Sequence, residues 1–330
     1  MSRRAFTTVI TFAALGFVVT RKGPAWKLRW RIVRAFRLGR RFYSSYPYLV
    51  KDIAYGDRPR QALDVYWPPD PGGALRQGKR LPVLLFAYGG SWSRGDKALY
   101  SLVGARFTAL GFVVVVINYR LHPEVTFPAF VEDAAAAIAW TRRHIDAYHG
   151  DPDRIFVAGH SAGGHILTLV ALDDRYLAAH GLPRSVVNGL IAVSAPTDLG
   201  AMLRHLRARR DHKAARGLQT IMGGPQALLQ ADPMRFVRSD TPPILLLHGV
   251  DDGTVPIAAA RNFASALEAA GAPVELCEYE RADHASILLD GVRDDPDRPA
   301  SLLADGLTFV QRIGASLASR PQVDTPRQPV

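Results

Sequence analysis

Apolar residues arrive in short bursts along most of the chain, and the bursts alternate with longer segments of helical character. Residues 63–66, 83–87, 112–117, 155–158, 190–194, 244–247 and 274–279 are short runs rich in β-branched, aliphatic or aromatic side chains, several of them closed by glycine or proline. The run 112–117, Phe-Val-Val-Val-Val-Ile, has no polar position at all, as expected of a strand buried on both faces. Residues 97–110, 130–148, 162–172, 258–270 and 302–317 read as helices. Strands that alternate with helices predict an α/β fold, a mostly parallel central sheet with helices on both faces. Residues 199–240 break the alternation and are rich in Arg and His, which predicts a small lid inserted over the C-terminal edge of the sheet. No period of 20–50 residues recurs, against a solenoid or propeller. The division expected is an appendage at 1–43, a body at 44–319 and a loose tail at 320–330.

Charge changes this picture only at one end. The net charge of +11 suggests a nucleic-acid binder until its placement is examined. Residues 1–41 hold eleven Arg and Lys and no acid, so the rest of the chain carries thirty basic and thirty acidic side chains. A neutral body lacks the basic surface that nucleic acid requires, so no nucleic-acid partner is expected. The appendage combines an apolar run at 5–19, short for a spanning helix, with a basic stretch in which Trp26, Trp30, Val33 and Phe36 recur at helical spacing. That pattern predicts association of residues 1–42 with an anionic membrane surface, with the cytoplasmic side favoured because nine basic residues follow the apolar run and two precede it. The alternatives are a cap helix packed on the body, in a soluble cytoplasmic protein, and an export signal. The single Cys277 forms no disulfide within the chain and is expected to be a buried thiol.

The chemistry centres on Gly159-His160-Ser161-Ala162-Gly163, a G-x-S-x-G between a predicted strand and a predicted helix. A sharp turn there lifts the Ser161 hydroxyl clear of the sheet beside a helix N-terminus. A serine is nucleophilic only if a base removes its proton and an acid orients the base. Downstream, Asp251 and Asp252 follow one predicted strand and His284 follows another, in the chain order Ser, Asp, His that this fold uses. Tyr88-Gly89-Gly90-Ser91-Trp92 follows the run 83–87, where the backbone N–H groups of Gly89, Gly90 and Ser91, with that of Ala162, can meet charge on a substrate oxygen. Tyr88 and Trp92 are candidates for lining the substrate pocket, with packing of the loop as the alternative for Trp92. His160 and His165 are expected to pack or hydrogen-bond, His248 to brace the acid loop, and His205 and His212 to be solvated.

Together these stretches resemble the esterase branch of the α/β-hydrolase superfamily, which includes hormone-sensitive-lipase-like and feruloyl-esterase-like carboxylesterases and lies near isoprenylcysteine methylesterase-like and kynurenine formamidase-like enzymes. The resemblance spans about residues 62–313. It rests on Tyr88 to Trp92 for H-G-G-x-W, on Asn118-Tyr119-Arg120-Leu121-His122-Pro123-Glu124 with Phe127-Pro128 for D-Y-R-L-x-P-E and F-P, on Asp151-Pro152-Asp153-Arg154-Ile155, and on His248 to Pro256 for H-G-x-x-D-x-x-V-P. The register of that last motif selects Asp252 over Asp251 as the acid. Tyr88 for His and Asn118 for Asp depart from the pattern. The resemblance implies an α/β-hydrolase fold and a carboxylesterase acting on a small-molecule ester through an acyl-enzyme on Ser161. An arylformamidase would use the same triad, whereas a hydrolase fold reduced to a binding module would be expected to have lost Ser161, Asp252 or His284. No H-E-x-x-H or other metal-ligand spacing occurs, and Gly223-Gly224 lacks the Lys and Ser/Thr of a phosphate loop, so neither metal nor cofactor is expected.

Overall fold

The computed structural model describes residues 10–12, 17–19, 43–70, 73, 75–288 and 302–318. Eight strands form one sheet: β1 Leu49–Ala54, β2 Ala62–Tyr66, β3 Leu81–Ala87, β4 Val113–Ile117, β5 Gly150–His160, β6 Val187–Val193, β7 Ile244–Gly249 and β8 Val274–Tyr279. Their order across the sheet is β8-β7-β6-β5-β3-β4-β2-β1, with antiparallel pairing only at β1–β2 and β2–β4. The helices are α1 Ser101–Ala109, α2 Ala129–His144, α3 Ala162–Leu172, α4 Asp174–Ala178, α5 Leu199–Ala208, α6 His212–Ile221, α7 Pro225–Gln230, α8 Ile257–Ala269 and α9 Leu302–Ala318.

The sequence explains the layers. β4 is buried at all five positions, and α3, which carries no charged residue, is buried along its whole length. A helix apolar on every side needs cover on every side, and α3 has it between β5, β6 and α2. α1 and α9 share the opposite face, where Gly306 lies beside Phe107 and Ile191. β1 was not anticipated. It is an edge strand whose middle residues, Val50, Lys51 and Asp52, are exposed, and its register shifts between Val50 and Ile53. Such a strand has no apolar period to announce it. Cys277, expected to be buried, is only half-buried, because β8 is the other edge of the sheet.

Strand order places the site. The chain steps from β3 to β4 on one side, then crosses back over β3 to form β5 on the other. Loops leaving β3 and β5 therefore part at their C-terminal ends, the crevice in which open parallel sheets hold ligands. Ala87 at the end of β3 is paired with Gly159 near the end of β5, so the segments after both strands start side by side at that crevice.

The segment between β6 and β7 folds as α5, α6 and α7 with a 3-10 turn at Pro233–Phe236. It is tied down at several points. The Phe127 N–H donates to the Ile221 carbonyl, His205 faces the Gly253 carbonyl, and the ring of His165 donates to the Ala231 carbonyl.

Ile10–Phe12 and Phe17–Val19 pair antiparallel, Ile10 opposite Val19, within the apolar run at 5–19. The basic stretch with Trp26 and Trp30 and the tail at 320–330 lie outside the described residues. Among the described residues no helix is long and apolar enough to cross a membrane.

Candidate active site

Ser161 stands between β5 and α3 with φ 52° and ψ −121°. A positive φ is strained for a residue with a side chain, and here it turns the chain at the mouth of the crevice. The turn closes because its neighbours are small. A Cβ on Gly163 would lie 2.2 Å from the Ala87 carbonyl oxygen. The Ser161 N–H donates to the Val193 carbonyl, and the Ser161 carbonyl accepts from the His165 N–H, which anchors both sides of the residue.

The structure brings together Ser161, Asp252 and His284, separated by 91 and 32 positions in the sequence. Ser161 Oγ lies 2.9 Å from His284 Nε2, and His284 Nδ1 lies 2.7 Å from Asp252 Oδ2. In the tautomer that satisfies both contacts, Nδ1–H donates to the carboxylate and Nε2 accepts from the serine hydroxyl. Asp252 is buried, and its other oxygen accepts from the N–H groups of Thr254 and Val255. Burial by itself would raise this carboxyl. The hydrogen bonds from His248 and His284 and that from Val255 outweigh it and hold the group well below the usual carboxylate range. Asp251, by contrast, is exposed, and its N–H donates to the Ala282 carbonyl.

His284 rides on a turn in which Asp283 Oδ1 accepts from the N–H groups of Ala285 and Ser286. Its own carbonyl accepts from His160 Nε2 at 2.8 Å. His160 is pushed down to about 3, by burial first and then by the neighbouring His284, so its ring is neutral. His165, pushed down to about 4 by burial, accepts from Trp92 Nε1 and donates to the Ala231 carbonyl, which links the loop after β3 to the segment between β6 and β7. His248 Nε2 faces both the Val255 carbonyl at 3.0 Å and Asp252 at 3.4 Å, bracing the acid loop.

The loop after β3 reaches the nucleophile directly. A Cβ on Gly89 would lie 2.9 Å from the Ser161 Cβ. Among the described residues, no backbone carbonyl accepts from the N–H groups of Gly89, Gly90, Ser91 or Ala162. Tyr88 and Trp92, taken as pocket-lining candidates, sit behind this loop instead. Tyr88 is fully buried between Tyr119 and Tyr100, and Trp92 packs on Phe130 and His165. Apolar burial on the core side outweighs exposure in the cleft for both rings.

Both departures from the family pattern have structural partners. Asn118 Nδ2 donates to Asp96 Oδ2 at 3.0 Å while its Oδ1 accepts from the Lys97 N–H. An Asp in its place would set two carboxylates against each other. Tyr88 Oη accepts from Arg60, a residue the sequence reading did not single out. Neither partnership has a local signal, since both depend on contacts between separate loops. Among the described residues no group of three His, Cys, Asp or Glu side chains is arranged to hold a metal ion.

The BD-FAE family matches residues 63–267, well over half of the chain. A probable isoprenylcysteine alpha-carbonyl methylesterase of Arabidopsis thaliana, ICMEL1, is 31% identical over 262 residues, covering 75% of this chain and 53% of that protein. Esterase LipC of Mycobacterium tuberculosis is 34% identical over 276 residues, covering 81% of this chain and 66% of that protein. The chain thus spans about half to two thirds of the length of these curated relatives. Esterase 2 of Thermogutta terrifontis, in a structure phosphoramylated by tabun, superposes with a TM-score of 0.62 at 25% identity, over 84% of this chain and 98% of that one. A truncated carbohydrate esterase from gut microbiota shares the fold, with a TM-score of 0.63 at 21% identity over 81% and 96% of the two chains. With its eight-stranded sheet, its serine elbow and this likeness along most of its length, the chain belongs to the BD-FAE family of α/β-hydrolase esterases.

Proposed function

We propose that the chain is a carboxylic-ester hydrolase that works through an acyl-enzyme on Ser161. The observation that carries this reading is the unbroken chain of hydrogen bonds from Ser161 Oγ through His284 to the buried Asp252. In this reading Ser161 Oγ adds to the ester carbonyl carbon as its proton passes to His284 Nε2. Asp252 stays ionised and stabilises the imidazolium that forms. The carbonyl oxygen, now an oxyanion, accepts from the backbone N–H groups of Gly89, Gly90, Ser91 and Ala162, Gly89 also lying close against Ser161. The bond to the alkoxide then breaks, and His284 returns the proton to the leaving alcohol. Water attacks the acyl-serine by the same route, gives its proton to His284, and the acid leaves as Oγ recovers a proton. Esterase 2 of Thermogutta terrifontis is phosphoramylated by tabun and phosphonylated by sarin, reagents whose phosphorus is the electrophile, and that reactivity supports the parallel.

The test is a series of p-nitrophenyl esters with acyl chains of two to twelve carbons, run beside N-formylkynurenine. Ester turnover abolished in Ser161→Ala is the expected result. Turnover of N-formylkynurenine above that of every ester would make the chain an arylformamidase, and turnover retained in Ser161→Ala would sink the reading.

The appendage is read as a membrane contact through residues 1–42, on the cytoplasmic side. Its nine basic residues after the apolar run favour anionic lipid, at about 1 kcal/mol for each one near the surface. Full-length protein should sediment with anionic liposomes at low salt, and a variant lacking residues 1–43 should not. Equal recovery of both in the supernatant would overturn this.

A further inference from the structure

Arg60 lies between β1 and β2, and among the described residues its guanidinium makes three hydrogen bonds, all to neutral acceptors. Its Nε donates to the Tyr119 carbonyl at 2.9 Å. One terminal nitrogen donates to Tyr88 Oη at 2.5 Å and to the Gly95 carbonyl at 3.0 Å. Tyr88 and Gly95 open and close the segment that contains Gly89, Gly90 and Ser91. A single half-buried cation therefore joins both ends of this loop and ties them to the residue two positions beyond β4.

The loop is held from behind by more than this cation. The Tyr88 ring stacks on Tyr119 with centroids 4.7 Å apart and on Tyr100 at 5.6 Å. Gly95 lies flat against the Tyr88 ring, where a Cβ would come within 2.4 Å of it. Tyr119 Oη donates to the Tyr88 carbonyl at 2.8 Å, and Tyr100 Oη faces the Gly89 carbonyl at 3.4 Å. In a planar trans peptide the C=O and the following N–H point in opposite directions. Holding the Tyr88 and Gly89 carbonyls toward the tyrosines therefore turns the Gly89 and Gly90 N–H groups away from them.

We propose that Arg60 is a positioning residue for the reaction: through Tyr88, Tyr119 and Gly95 it clamps the loop whose N–H groups receive the oxyanion. This rests on the ester-hydrolase reading. An oxyanion donor acts on the transition state more than on the bound substrate, so loosening the clamp should lower kcat and leave KM nearly unchanged. Loss of a donor outright costs about 10²–10³-fold in kcat. A donor left in place but less well aimed should cost less, about 10- to 100-fold in Arg60→Gln. Arg60→Lys keeps the charge but lacks the planar fork that serves separate acceptors, so it should recover only part of the loss. Tyr88→Phe keeps the stack and removes the phenol acceptor, and should fall in the same direction.

Two measurements on the full chain decide it. The first is kcat and KM for p-nitrophenyl butyrate, with the rate of inactivation by diethyl p-nitrophenyl phosphate, in the wild type and the three variants. Parallel falls in kcat and inactivation rate at near-constant KM are expected. The second is amide hydrogen exchange of residues 88–95 in the Ser161→Ala background, where exchange should quicken on Arg60→Gln. Arg60→Gln with kcat within about twofold of wild type, a rise in KM alone, or unchanged exchange in the loop would each overturn the proposal. If Arg60→Gln does not fold, Arg60→Lys and Tyr88→Phe make the same comparison. Faster loop exchange in a protein whose wild type hydrolyses no ester would sink the functional reading and leave the clamp itself standing.

Discussion

His160 Nε2 donates to the main-chain carbonyl of His284 at 2.8 Å, so the residue before the nucleophile holds the backbone of the base. The two rings lie 4.8 Å apart, and the Nδ1 of His160 is buried with no hydrogen-bond partner among the described residues. A neutral imidazole fits this place and an imidazolium does not, which has a consequence for stability.

His160 and His165 are pushed down to about 3 and about 4 by burial. The unfolded chain takes up a proton at each imidazole near pH 6.5, and the folded chain refuses it until pH reaches those lower values. Stability is therefore complete above about pH 6.5 and is lost as pH falls below it. The slope is about 1.4 kcal/mol per pH unit for each ring, or ~2 kcal/mol each by pH 5. Urea unfolding at pH 7.5 and pH 5 should show the difference. His165→Asn, which keeps one donor and one acceptor, should remove about half of it; an unchanged slope would contradict the assignment.

Ser161→Ala and His284→Ala should each lower ester turnover by roughly 10⁴-fold or more, and the double variant should be little worse, since the hydroxyl and the imidazole act as a unit. Additive losses in steady-state kcat would mean that the two residues work independently.

Asp252→Asn should lower kcat by about 10⁴-fold, because an amide at this position favours the wrong tautomer of His284. Asp251 is exposed, and its N–H donates to the Ala282 carbonyl rather than to a triad residue, so Asp251→Asn should stay within a fewfold of wild type. Measuring the two side by side tests the register, and the reverse ranking would place the acid one residue earlier.

Lys97 is buried, and its Nζ lies 2.7 Å from Asp64 and 2.6 Å from Asp52. Lys97→Met would leave the fully buried Asp64 carboxylate without its cation, at a cost of about 3–5 kcal/mol. Adding Asp64→Asn should recover much of that loss. A melting temperature that is unchanged in Lys97→Met would show that the pair contributes nothing.

Much of this molecule was legible because its signals are local. Val113 to Ile117 reads as a buried strand from five consecutive residues, and α3 from an uncharged run directly after Ser161. The elbow itself is a five-residue pattern, since a turn that sharp constrains its immediate neighbours. His284 stood out from nine other histidines by lying just past the last parallel strand. β1 did not stand out, because an exposed edge strand bends around a register shift and shows no period.

The sequence alone determined the alternation of strands and helices, the order of Ser161, Asp252 and His284, and the glycines that let the backbone pass close to the nucleophile. Each follows from residues adjacent in the chain, where sterics and periodicity act directly. Tertiary structure alone decided that Tyr88 and Trp92 turn into the core rather than the cleft, that Asn118 answers Asp96, and that Arg60 reaches Tyr88 across 28 positions. Those pairings join different loops, and the direction of a side chain leaving a loop is set by what packs around it, which no short stretch of sequence contains.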